Sequence, residues 1–378
     1  MTYTPRNQAF FVASTGQHVG KTTTCLGLVS GLKKRFNRVS FLKPIGQESL
    51  ETDSGILVDK DVPLFKDYFK LDDPYELMSP ILFSKGFTRD YLDGKIELPS
   101  LMGCLDVCYE ELLSYNDCIV VEGTGHTGVG TIIDFNNAQV AARLKTPIIL
   151  IASGGLGSSL DAIALNKALC DKYNVPIVGV ILNKVIPSKK EMIMHYMQKG
   201  LSRWDIPLLG CIPYDPFLSN PTISDYANLF KTELISGQEH RLRHFEHIRF
   251  VATSLDVYKT LIRPSQLVIT PASREDIIME TLTHHFNIKK ELIQNDLLSG
   301  IILTGNLPPK ASIIESLKKA NIPAFYIPIH TFNAMKMITS YIAKLRKEDT
   351  LRIEQTIAVV EAHIDFDHLL NVVGITNP

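Results

Sequence analysis

No stretch of this 378-residue sequence is long and apolar enough to read as a bilayer span: the longest apolar run, Pro147 to Leu165, is broken by Gly154, Gly155, Gly157 and Asp161. The apolar patch Ala9 to Ala13 is too short for a secretory segment, so a cytoplasmic setting without membrane attachment is expected. An excess of charge is also lacking. Lys and Arg number 39 against 40 Asp and Glu, which argues against a nucleic-acid footprint and leaves room only for a local basic pocket. The six cysteines, Cys25, Cys104, Cys108, Cys118, Cys170 and Cys211, include no C-x-x-C pair, so they read as reduced packing residues, not as a metal site or a disulfide framework. Glycine (23) and proline (20) are too scattered for a fibrous or low-complexity chain. At about 150 residues per domain the length calls for one large or two modest globular units.

What is present is an alternation of short β-rich runs with amphipathic stretches. The runs are Phe10 to Ala13, Val39 to Leu42, Cys118 to Val121, Ile148 to Ala152, Ile177 to Leu182 and Leu208 to Ile212. They predict a doubly wound, mostly parallel α/β sheet. A long interval, Glu48 to Asp117, separates the second and third runs, and inserts of that size often shape a substrate site or a subunit contact. The composition shifts near residue 216. Residues 1–215 therefore form the first predicted domain, 216–250 a helical connector, and 251–378 a smaller α/β domain with C-terminal helices, built on runs at 267–270, 300–304 and 324–327. On the connector, His240, His244 and His247 are spaced to share a helical face, but the interleaved Arg241, Arg243 and Arg249 favour a solvated helix over a Zn²⁺ site.

The chemistry concentrates at Ser14-Thr15-Gly16-Gln17-His18-Val19-Gly20-Lys21-Thr22-Thr23, between an apolar strand and a helical run. This is a variant phosphate-binding loop. Thr15 stands at the first glycine position of the strict pattern, and Gly16 follows it. Gly20 would let the backbone turn its N–H groups onto phosphate at a helix N-terminus. Lys21 would reach the β and γ phosphates, and the Thr22 hydroxyl would ligate Mg²⁺. Lys43, ending the second strand, could hold an anion beside the γ phosphate. Glu122, ending the third, is a Mg²⁺ candidate, and either Asp59 or Asp61 could add a second carboxylate. Asn183, ending the fifth strand, could read a purine edge or merely cap a turn. His18 and His126 lie in these loops without a clear catalytic role. Pro213, at the end of the sixth run, is assigned to the nucleotide side with residues 15 to 23 and Asn183.

On Thr15-Gly16 to Thr22, Lys43-Pro44-Ile45, Val121-Glu122-Gly123-Thr124-Gly125 and Val180-Ile181-Leu182-Asn183, residues 8 to 215 resemble the dethiobiotin synthetase family, and more closely the like-folded N-terminal region of long phosphotransacetylases. The resemblance implies a P-loop NTPase domain using ATP and Mg²⁺. It places Lys21 and Thr22 at the phosphates, Glu122 and Asp61 at the metal, Asn183 at adenine and Lys43 near a small anionic acceptor. Dimers are usual among dethiobiotin synthetases, so a homodimer is expected. The second half is similar to a DRTGG domain on Ile269 to Asp276 and Gly300 to Asn306, with Ser273 and Asn306 departing from that pattern.

Two activities follow as expectations. One is γ-phosphoryl transfer to a small carboxylate, a carbamate or water, with Lys21 and Lys43 as the working residues of an ATP-dependent ligase or ATPase. The other is a regulatory protein that senses nucleotide with little turnover. Gln47-Glu48 after the lysine–proline pair argues against diaminopelargonate as acceptor, and the lack of cysteine after Cys211 argues against a glutamine-dependent amidase. Because the sequence stops where a phosphotransacetylase continues into its acyltransferase domain, acetyl transfer is not expected.

Overall fold

The computed structural model of the chain describes residues 8–290 and 297–376. Two compact units emerge, one formed by residues 1–215 with 345–378 and the other by 216–344.

The first unit is built on six parallel strands: β1 (Ala9–Ser14), β2 (Val39–Leu42), β3 (Cys118–His126), β4 (Ile148–Ser153), β5 (Ile177–Val185) and β6 (Leu208–Pro213). Their order is β6-β5-β4-β1-β3-β2, so β1 sits at the centre. Every residue of β1 is buried, which is why the run reads as continuously apolar and not as alternating. Alternation survives in which layer each side chain joins: Phe11 and Ala13 enter one apolar cluster, Phe10 and Val12 the other. The chain reverses direction of travel along the sheet between β1 and its two neighbours β3 and β4. That switch point is where ligands of open α/β sheets bind.

The interval after β2 carries a hairpin pairing Ser49–Glu51 with Leu57–Asp59, followed by helices Asp61–Phe69 and Leu98–Tyr115.

The C-terminal helices Thr350–Glu361 and Phe366–Val373 belong to this first unit, not to the second half where the sequence reading put them. The reason lies in helix Lys21–Lys33. It is apolar nearly all round, with Thr24 to Val29, Gly31 and Leu32 all buried, so one face is left for another element to cover. Gly27 and Gly31 let the returning helices approach: a Cβ on Gly27 would lie 2.2 Å from Cγ1 of Val360, and one on Gly31 would lie 2.1 Å from the ring of Phe366. The guanidinium of Arg35 then stacks over that ring at 4.7 Å.

The second unit is a four-stranded parallel sheet, β7 (His247–Phe250), β8 (Gln266–Pro271), β9 (Gly300–Thr304) and β10 (Ala324–Ile327), in sequential order. Val268, Ile301 and Leu303 pack on one face and Leu267, Ile269 and Ile302 on the other. The expected helical connector is a correction. Only the short segments Pro216–Ser219 and Ile223–Leu229 are α-helical there, His240 ends a single 3₁₀ turn, and His247 opens β7, so the three histidines share no helical face. Glu246 and His247 donate their backbone N–H groups to the carbonyl of Ser265, and the parallel ladder with β8 claims the stretch for the sheet.

Candidate functional site

The site lies at the C-terminal edge of β1, β2 and β3. In the loop after β1, Thr15, Gly16 and Gly20 are half-buried, Gln17 and His18 are exposed, and Val19 is buried. Gly20 has φ +101°, a conformation that favours glycine, and it directly precedes helix Lys21–Lys33. No side chain caps that helix and no acidic residue occupies its first turn. The N-terminal amides and the positive end of the helix dipole therefore face the loop, the arrangement that attracts phosphate.

Two neighbouring residues of β5 brace the loop from behind. Asn183, at 3% exposure, donates from Nδ2 to the carbonyl of Val19 at 2.9 Å, while its Oδ1 accepts the N–H of Lys184 at 2.8 Å. Lys184 Nζ donates to the carbonyl of His18 at 2.8 Å. The side chain expected at adenine is thus engaged with loop backbone in this structure. Pro213 is half-buried at the end of β6, where the next residue, Tyr214, donates its N–H to Val185 of β5.

Lys21 folds back over the loop. Its Nζ donates to Ser14 Oγ at 2.9 Å and to the Gly125 carbonyl at 2.7 Å. Burial pushes its ammonium below the usual lysine range, with Glu122 pulling upward and Lys43 adding to the depression. Beside it, Thr22 Oγ1 donates to Glu122 Oε1 at 2.9 Å. Thr23, half-buried, follows on the same turn.

The register explains why Lys43 and Glu122 meet. Leu42 of β2 pairs with Val121 of β3, so the next residue of each strand emerges side by side. Lys43 Nζ lies 2.9 Å from Glu122 Oε1 and 2.8 Å from Asp61 Oδ2. Lys43 and Glu122 are 4% and 1% exposed. Burial alone would lower the Lys43 ammonium, but Asp61, Glu122 and Asp59 together outweigh it and hold it well above its ordinary value. The same packing pushes the Cys25 thiol well up, through burial and then Glu122.

The two candidate aspartates differ in what they do. Asp59 is buried and accepts the backbone N–H of Gln47 on Oδ2 (3.2 Å) and of Asp61 on Oδ1 (3.0 Å). Burial is the largest influence in raising its carboxyl to about 6. Asp61 opens its helix and directs its carboxylate at Lys43.

Several positions escape a reading of motifs. Asn137 accepts the Thr124 N–H at 3.2 Å and donates to the carbonyls of Thr124 and His126, both at 2.7 Å, fixing the end of β3. Ser14 and the Gly125 carbonyl supply the cradle for Lys21. Lys184 had a signal, its adjacency to Asn183; Asn137 had none, because its partners come from another element. The His126 ring accepts the Gly128 N–H on Nδ1 within its own turn.

A divalent ion fits this donor set on one specific ground. Glu122 Oε2 is buried and has no hydrogen-bond partner among the described residues, an acceptor that would otherwise carry a desolvation penalty. Among the described residues no group of three or more His, Cys, Asp or Glu is placed to hold a metal unaided. No helix among them is long and apolar enough to cross a membrane.

Sheet order, loop and helix define a P-loop NTPase fold. A family model described as an AAA domain matches residues 8–222, and one for the DRTGG domain matches residues 225–341. The chain belongs to this dethiobiotin-synthetase-like P-loop family and carries a DRTGG domain after it. Curated relatives with the same architecture are phosphate acetyltransferases. That of Nitratidesulfovibrio vulgaris is 24% identical over 368 residues, and that of Pseudomonas aeruginosa is 26% identical over 380 residues; each match covers 95% of this chain and 51% of the relative. The chain thus spans about half the length of the relatives it matches. Among solved structures, the MinD cell division protein of Aquifex aeolicus is 16% identical, with TM-score 0.36, covering 56% of this chain and 84% of that one.

These relatives correct one expectation. The reading of the chain as an ATP-dependent ligase or ATPase that is not an acetyltransferase is overturned, because the curated proteins matched along nearly its whole length are named for acetyl transfer. The end of this sequence is no ground for excluding that chemistry.

Proposed function

We propose that this chain is the nucleotide-sensing portion of an enzyme of the phosphate acetyltransferase family, binding ATP with Mg²⁺ at the loop of residues 15 to 23. The observation that carries the reading is the convergence of Lys21, Thr22, Lys43, Asp61 and Glu122 on an uncapped helix N-terminus. Loop amides and Lys21 would take the phosphates. Thr22, Glu122 and Asp61 would hold the ion, whose chemistry there is to neutralise phosphate charge. Asn183 and Pro213 would border the base, Asn183 giving up or sharing its present bonds. A homodimer is part of the proposal, as is a small anionic effector acting beside ATP.

Sensing is favoured over transfer to an acceptor by the state of Lys43. In the nucleotide-free chain that ammonium is held by two carboxylates at 2.8 and 2.9 Å, at 4% exposure, so it presents an internal contact for nucleotide to rearrange and not a vacant acceptor subsite. The test is calorimetric titration of the chain with Mg²⁺-ATP, alongside assays of phosphate release and of acetyl phosphate formation from acetyl-CoA. Binding without appreciable phosphate release supports the reading. Wild-type affinity in Lys21→Ala, or rapid turnover, defeats it.

A further inference from the structure

Glu122 Oε1 is shared. It accepts from the Thr22 hydroxyl and from the Lys43 ammonium, both at 2.9 Å, while Asp61 Oδ2 accepts from the same ammonium at 2.8 Å. Lys43 therefore sits among the three side chains assigned above to the metal. We infer that Lys43 is a built-in counter-ion: it occupies the cation position between Glu122 and Asp61 when nucleotide is absent, and so keeps the chain from taking a divalent ion until phosphate oxygens arrive with it. Lys43 is thus a positioning residue that makes metal binding conditional on nucleotide.

The charges follow from the burial. Two carboxylates this close, one of them 1% exposed, repel each other and pay heavily for desolvation unless a cation lies between them. An ammonium and a divalent ion are alternative solutions to that one problem. With Lys43 in place the free protein is already compensated, so a bare Mg²⁺ would have to displace an ion pair while shedding water, and it is reluctant to dehydrate. With triphosphate present, added negative charge tips the balance, and the orphaned Glu122 Oε2 offers the ion an acceptor that Lys43 does not use.

This inference deepens the nucleotide reading and rests on it for the metal's arrival, but its test contains no nucleotide, so failure of one is distinguishable from failure of the other. The nucleotide-free chain is titrated with MnCl₂ and the free-ion electron paramagnetic resonance signal followed. Wild type and Lys43→Arg are expected to leave the signal intact, whereas Lys43→Met should capture about one ion per chain, the metal replacing the lost ammonium. Should Lys43→Met unfold in chelator, about 10 mM MgCl₂ should restore its circular dichroism, since metal bound to the native state stabilises it. Capture of Mn²⁺ by wild type without nucleotide overturns the inference. So does a folded Lys43→Met that captures none, or an unfolded one that magnesium does not restore.

Discussion

A Cβ placed on Gly20 would lie 2.1 Å from Nδ2 of Asn183, the same nitrogen that donates to the Val19 carbonyl. The glycine of the phosphate loop is therefore required twice, by its φ of +101° and by the amide pressed against it. Gly20→Ala should displace Asn183 and distort the loop, lowering stability by about 1–3 kcal/mol through overpacking. Denaturant unfolding measures it. An unchanged midpoint would count against the packing described.

Removing the other partner has a separable outcome. Asn183→Ala leaves Gly20 its room but strips the buried Val19 carbonyl of a donor, at a cost of about 1–3 kcal/mol. Nucleotide affinity should fall with it even if Asn183 never touches the base, because the loop loses its brace. Titration of ATP against inosine triphosphate tells the two roles apart. An equal loss for both nucleotides marks bracing, and a loss confined to ATP marks recognition of adenine.

Gly31→Ala offers a prediction whose sign is set by tertiary packing. In an exposed helix the change would stabilise by roughly 1 kcal/mol. Here the new Cβ meets the Phe366 ring at 2.1 Å, so a net loss of about 1–3 kcal/mol is expected. A rise in Tm would show that Phe366–Val373 does not pack on helix Lys21–Lys33.

The pair of Lys347 and Asp67, 2.8 Å apart, fastens the returning segment to helix Asp61–Phe69, with the Tyr75 hydroxyl donating to the same carboxylate at 2.6 Å. Burial would raise the Asp67 carboxyl, but the bonds from Lys347 and Tyr75 outweigh it and hold it below its ordinary value. A carboxyl lowered in the folded state contributes stability above its unfolded pKa and loses it as pH falls through the folded one. Lys347→Met should therefore cost stability at neutral pH and progressively less in acid. Both partners are more than a third exposed, so the neutral-pH effect should be only a few tenths of a kcal/mol and should shrink with salt. Equilibrium unfolding at several pH values checks this.

Much of this architecture is written locally. The strands at Val39–Leu42, Gly300–Thr304 and Ala324–Ile327 coincide with their apolar runs because buried parallel strands need continuous β-rich sequence. The phosphate loop is equally local, a strand, a glycine and a helix in succession. What motifs do not contain is pairing across distance. That Lys43 would be sealed between Asp61 and Glu122 depends on the register of β2 with β3 and on the start of a helix 18 residues further on. The fate of the last helices was hidden for a related reason. Their docking is encoded in Gly27 and Gly31, more than 300 positions earlier, and two glycines four apart look like weak helix formers until a partner is known.

The glycine-lined groove on helix Lys21–Lys33 also governs how this protein can be divided for experiment. Truncation after residue 215 would delete Val360, Phe366 and Leu369 while keeping Leu26, Val29 and the two glycines that received them. Such a fragment would present a greasy strip to solvent and should aggregate. Excision of residues 216–344, with the remaining ends rejoined by a flexible linker, would keep that strip covered.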